Sequence, residues 1–291
     1  MLRKILLPVD LTEVGKKAVE TTGLLAKPFG SKVWLITVVE NPKIPFIEEF
    51  PEEEKKAILS LHDKLKEKAN QLLSQYTEQL KSEGLDVQYE VLEGDTVENI
   101  LDFSERINPD LIIIPSHKKS DVELKAVGSV SLRISSKSKY PVLVIKGKGF
   151  DKKGFDKIDK IVVSYDFLPS SQKALEFALS IAKTFNSKII VVHADNDHGY
   201  THIKSIVEKV RKHKAEKLQH LKNLYTNLEV HMKEGNPASV IVNIATKENA
   251  DLIVVGKRQL PDEKRVFIGS TSYQILKESP VSVLIYRGNH E

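Results

Sequence analysis

A chain of 291 residues, 41% hydrophobic and 29% charged, has the composition of a soluble globular protein and the length for one large domain or two ordinary ones. It has no cysteine, which excludes disulfides, thiolate metal sites and cysteine nucleophiles, and a net charge of +4 is too small for a nucleic-acid footprint. No apolar run reaches the roughly 18 residues of a membrane span, and Pro8 and Asp10 break the opening run too early for a signal peptide, so a cytoplasmic protein is expected.

In chain order, short apolar runs alternate with amphipathic stretches, the pattern of βαβ units around a parallel sheet. Strands are expected near 4–9, 32–39, 86–92, 111–115 and 141–146, with helices starting near 13, 53, 96 and 128. The second helix carries Ile58, Leu61, Leu65, Ala69, Leu72, Tyr76 and Leu80 three or four apart, and this stripe is expected to be core along its whole length. The order then repeats, with strands near 159–164, 188–194, 228–232, 252–256 and 281–286.

The repeat is visible residue by residue. Lys4-Ile-Leu-Leu-Pro-Val-Asp10 returns as Lys160-Ile-Val-Val-Ser-Tyr-Asp166, and Ser31-Lys-Val as Ser187-Lys-Ile. Asp110-Leu-Ile-Ile returns as Asp251-Leu-Ile-Val, and Gly128-Ser129 as Gly269-Ser270. The expected organisation is therefore a first domain over 1–147, a linker over 148–157 and a second domain over 158–291. Each would be a doubly wound, Rossmann-like α/β unit with a five-stranded parallel sheet and helices on both faces. The final strands, 141–146 and 281–286, would otherwise be open edges, so the two units are expected to pair there as an intramolecular pseudo-dimer. The positive excess lies in the second half, with 23 basic and 17 acidic residues over 148–291 against 21 and 23 over 1–147.

Open parallel sheets bind ligands beyond the carboxyl ends of their strands, where the strand order reverses. That places attention on Asp10 and Asp166 after the first strands, on Pro115 and Gly256 at the ends of the fourth, and on the two Gly-Ser pairs. A glycine and a hydroxyl at a helix start leave free N–H groups for an anion. The aspartates have an alternative role as caps of the following turn.

In the second copy, Gly256-Lys-Arg-Gln259, nine further residues and Gly269-Ser270 resemble the nucleotide-binding signature of universal stress protein domains, the adenine nucleotide alpha hydrolase-like fold. The resemblance covers both copies almost end to end and includes His193 at the end of the second strand. It implies a stress-response module that binds ATP, with or without Mg2+, or a related phosphorylated small molecule. Asp166 would contact the adenosine, Ala194 would line the adenine pocket, the glycine-rich loop from Gly256 with the Gly269-Ser270 helix start would hold the phosphates, and Val255 and Ser272 are carried over as further binding positions. Lys257, Arg258, Lys264 and Arg265 are expected to add positive charge there. The signature departs at Gln259, where the family has glycine. In the first copy Pro115 and Lys118 replace two glycines, so that copy is expected not to hold a triphosphate.

No Walker A sequence or nucleophile elbow is present, so no catalytic residue is assigned and enzymatic activity would amount at most to slow ATP hydrolysis. A structural module without a ligand is the alternative reading. Asp195, Asp197, His198 and His202 are of metal-ligating types, but short polar loops produce such groupings often, and no metal site is assigned. Neither a nucleic acid nor a membrane is an expected partner, and protein partners are not specified by the sequence.

Overall fold

The computed structural model describes residues 2–10, 12–42, 44–116, 128–146, 157–195, 204–257 and 268–287. The first half runs β1 (Lys4–Pro8), α1 (Glu13–Phe29), β2 (Lys32–Val39), α2 (Glu52–Ser82), β3 (Asp86–Glu93), α3 (Thr96–Ile107), β4 (Leu111–Pro115), α4 (Ser129–Lys137) and β5 (Val142–Ile145). The second runs β6 (Lys160–Ser164), α5 (Pro169–Phe185), β7 (Lys188–Asp195), α6 (Lys204–Leu221), β8 (Leu228–Glu234), α7 (Pro237–Lys247), β9 (Leu252–Gly256), α8 (Ser270–Glu278) and β10 (Ser282–Tyr286).

The strands form one ten-stranded sheet in the order β3-β2-β1-β4-β5-β10-β9-β6-β7-β8. Each half is parallel, and the halves join where β5 meets β10 antiparallel, with Val144 opposite Val283 and Leu143 opposite Leu284. Neither half has a separate sheet of its own; continuous hydrogen bonding removes the two edges that the sequence left open. Phe29 and Phe185, equivalent residues at the ends of α1 and α5, meet edge to face at 6.4 Å.

Runs such as Leu111-Ile-Ile-Ile and Leu252-Ile-Val-Val are buried throughout because helices cover both faces. One core packs α1, α2, α5 and α6 on the sheet, and the other packs α3, α4, α7 and α8. The repeated polar residues tie the starts of neighbouring strands together. Asp110 Oδ2 accepts from the Arg3 and Lys4 N–H groups at 2.6 and 2.9 Å, and Asp251 Oδ2 from those of Asp159 and Lys160 at 2.8 and 2.9 Å. Ser31 and Ser187 donate to the Leu2 and Ile158 carbonyls in the same way. Asp95 caps α3, and Asn236, followed by Pro237 at the first helical position, caps α7.

The α2 stripe departs from expectation. Ala69, Leu73, Tyr76 and Leu80 are buried and Leu72 is packed against the core, but Leu61 is 59% exposed and Leu65 is exposed too. Helical periodicity continues through the full 31 residues, while the sheet beneath ends part-way along.

Candidate ligand cleft in the second half

In the second half β6 lies between β7 and β9, so its carboxyl end is the point where strand order reverses. A cleft of about 280 Å3 opens there, near the lower end of the size range of small-molecule sites. Its walls come from separate elements. Ser164 ends β6 and Tyr165 and Asp166 follow it, Ala194 lies on β7, Pro237 and Ile241 come from α7, and Val255 and Gly256 end β9. The floor is the start of α8, from Gly269 through Ser272. All seven site residues read from the sequence, Asp166, Ala194, Val255, Gly256, Gly269, Ser270 and Ser272, therefore border one space.

The two glycines serve different ends. A Cβ on Gly256 would stand 2.4 Å from the Ser170 carbonyl oxygen and 2.8 Å from the Ser171 nitrogen. Gly256 is glycine because the first turn of α5 rests on it. A Cβ on Gly269 would meet nothing among the described residues within 4 Å, so on their side that position faces open space. Its backbone, at φ −58 and ψ 152, is comfortable for any residue, so the branched side chain of valine would bring no backbone strain. Gly269 offers no side-chain cap, and the N–H groups of the first α8 turn point their dipole toward the cleft.

Both aspartates cap turns. Asp166 Oδ1 accepts from the Leu168 N–H at 3.1 Å, and Asp10 Oδ1 from the Thr12 N–H at 3.3 Å and the Thr12 hydroxyl at 2.6 Å. Asp166 also borders the cleft, so the same carboxylate that fixes the β6–α5 turn stands in the cleft wall.

Lys257 does not face a phosphate position. Its ammonium turns into the other half and donates to the Ser136 and Ser135 carbonyls at the C-terminus of α4. Burial, with a contribution from the nearby Arg287 charge, lowers its pKa from 10.5 to about 8. Arg287 donates to the Ser138 carbonyl at 2.7 Å, and Lys146, its equivalent in the first half, donates to the Leu276 carbonyl of α8. These cations cap helix C-termini across the junction, a role that sequence reasoning missed. Among the described residues lining the cleft there is no lysine or arginine. Arg258, Gln259, Lys264 and Arg265 lie outside the described residues, as do Lys118 of the first copy and Asp197, His198 and His202. Asp195 is held by Arg211 at 2.8 Å and Lys214 at 3.0 Å, and no metal-ligating cluster occurs among the described residues.

His193 is buried on the α5 and α6 side of the sheet, with Nδ1 2.8 Å from the Tyr165 carbonyl and its ring 4.8 Å from that of Phe167. It is a packed strand-end residue rather than part of the cleft wall. Phe167 holds that contact at a positive φ of 65.

A family model described as the universal stress protein family matches residues 1–146 and again 157–287. The chain belongs to this family. A universal stress protein of Methanocaldococcus jannaschii is 30% identical over 146 residues, which is half of this chain and 83% of that protein. One of Thermus aquaticus is 30% identical over 133 residues, or 44% of this chain and 97% of its own length. These relatives thus have about the length of one half. The crystal structure of a universal stress protein from Archaeoglobus fulgidus matches the tandem arrangement, with 26% identity, a TM-score of 0.72 and 98% of both chains covered.

Within this universal stress protein the halves differ at the residue that ends the fourth strand. Pro115 pairs in register with Ile145 and accepts from the Ser131 hydroxyl at 3.1 Å, where the second half has Gly256 against α5. Ser116 follows it with a buried hydroxyl that has no hydrogen-bond partner among the described residues. No helix among the described residues is long and apolar enough to cross a membrane.

Proposed function

We propose that this universal stress protein binds ATP or a related adenine nucleotide, with Mg2+ on the phosphates, in the cleft of its second half, and acts through conformation or protein partners rather than turnover. The observation that carries this reading is the convergence of Asp166, Ala194, Val255 and the α8 start on one cleft at the strand-order reversal, with Gly269 facing open space. Ala194, Val255 and Ile241 supply apolar walls for a base, Asp166 a carboxylate for ribose hydroxyls, and the α8 N–H groups a partial positive charge for phosphate oxygens. Mg2+ would be held mainly by the phosphates and water, as this ion commonly is.

The first half is proposed not to hold a triphosphate, because Pro115 ends β4 where the second half has glycine. A reading in which the protein has no ligand draws on Gly256, whose missing side chain is explained by the approach of α5 alone. Thermal unfolding with and without ATP and Mg2+ separates the two: a ligand that binds only the folded state raises the melting temperature, and no rise at millimolar ATP supports the ligand-free module. Cytoplasmic location belongs to this proposal and is checked by fractionating the source cells.

A further inference from the structure

The helix α2, 31 residues long, is anchored on the sheet only through its second half. Ala69, Leu73, Tyr76 and Leu80 are buried there. Nearer its start, His62 lies 3.0 Å from Glu93, the last residue of β3, and Lys66 pairs with the same carboxylate. The turns before His62 therefore project past the carboxyl edge of β3. β1 ends lower still, since Pro8 is level with Ile36 and Glu90 while β3 continues to Glu93.

One flank of the projecting part carries a patterned stripe. Glu54, Ala57, Leu61, Leu65 and Lys68 follow one another at steps of three or four, and all five are exposed, Leu61 by 59% and Leu65 by 41%. The stripe is centred on Leu61. Ala57 and Leu65 stand four residues to either side of it, and Glu54 and Lys68 seven residues, or two turns, to either side. The two arms match in apolar character and are opposite in charge. Leu59, Asp63 and Glu67 turn to the other side of the helix.

We infer that a second copy of this chain docks on this flank, with α2 of each copy packed antiparallel against α2 of the other about a twofold axis at Leu61. A twofold contact needs a surface complementary to itself, and the stripe is one. Leu61 meets Leu61, Ala57 of each copy meets Leu65 of the other, and Glu54 of each meets Lys68 of the other. A parallel pairing would set Glu54 on Glu54 and Lys68 on Lys68, so charge selects the antiparallel one. The axis makes each outer contact twice and closes the assembly at two chains. The inference needs only α2 and does not depend on nucleotide binding.

Sedimentation equilibrium of the full chain, across protein concentration at low and high salt, tests it. The expected result is a monomer–dimer equilibrium that weakens as salt rises. L61D should weaken it at least tenfold, and so should E54K. Adding K68E to E54K should restore it, because the exchange re-creates both opposite-charge pairs. The chain has no cysteine, so the geometry can also be read by crosslinking. On mild oxidation L61C should give a disulfide-linked dimer, since the axis brings the two positions together, whereas L59C, on the other side of the helix, should stay unlinked. Urea midpoints separate lost docking from lost folding, and the crosslinking arm decides even where a charge variant is destabilised. A parent monomeric at every concentration overturns the inference and leaves the stripe to a different occupant. A dimer indifferent to L61D, a charge exchange that fails to rescue, or L59C linking as readily as L61C would each put the contact on another face and equally overturn it.

Discussion

Gly256→Ala is the substitution whose outcome the structure specifies most sharply. The added methyl would sit 2.4 Å from the Ser170 carbonyl oxygen, 2.6 Å from its carbon and 2.8 Å from the Ser171 nitrogen, all of them backbone atoms in the first turn of α5. No side chain can rotate out of the way, so α5 or the end of β9 must move. Overpacking of this kind costs about 1–3 kcal/mol, and rigid backbone on the far side puts the expected loss at the upper end. For a protein of this size, a loss of ~2–3 kcal/mol corresponds to a fall of roughly 4–12 °C in melting temperature. Gly269→Ala is the internal control. With nothing within 4 Å of its Cβ and an ordinary backbone at φ −58, it should stay within about 1 kcal/mol of the parent. Urea unfolding of the three proteins, with midpoints and slopes both recorded, reads the difference. Equal stability of the two variants would refute the claim that α5 rests on Gly256.

Three further outcomes follow. Lys257 has a folded-state pKa of about 8 against 10.5, so between those values the unfolded chain holds a proton that the folded chain lacks, and raising the pH favours folding. The destabilisation is full below about pH 8, so the parent should gain stability from pH 8 to 10 in urea titrations compared across that range, and Lys257→Met should abolish that rise. Asp166→Ala should weaken ATP binding about ten- to a hundredfold through loss of one charged hydrogen bond, measured by calorimetry, whereas Asp10→Ala should leave it unchanged. The same titrations should give one nucleotide per chain, and two would show that Pro115 does not disable the first half.

Much of the architecture could be read from apolar runs, because a strand covered by helices on both faces is apolar along most of its length, as Leu111 to Ile114 and Leu252 to Val255 show. The repeat also exposed the residues that tie neighbouring strand starts together, although the work of Asp110 and Asp251, accepting from the start of the first strand in each half, becomes apparent only in the fold. Periodicity failed at α2 for a definite reason. A stripe reports which side of a helix is apolar and carries no information on how far the supporting sheet extends, so Leu61 and Leu65 read like Leu73 and Leu80.

The cleft was legible in its positions and misleading in some of its reasons. Spacing led to Gly256 and Gly269 alike, yet one is demanded by Ser170, 86 residues earlier in the chain, and only the other faces open space. Lys257 follows Gly256 directly, and adjacency suggested a phosphate contact. Its side chain instead crosses the junction to α4, a long-range contact for which the signal in sequence is a basic residue beside a strand end in both halves, as with Lys146 and Arg287.

The most direct test of the nucleotide assignment is calorimetric titration of ATP and Mg2+ into the parent and into Gly269→Val. The valine side chain would project into space that no described residue fills, so stability should hold while the cleft is blocked. Saturable binding to the parent, reduced by more than tenfold in a variant with an unchanged melting temperature, is the predicted result. Binding of equal strength to both proteins, or none to the parent, would contradict it.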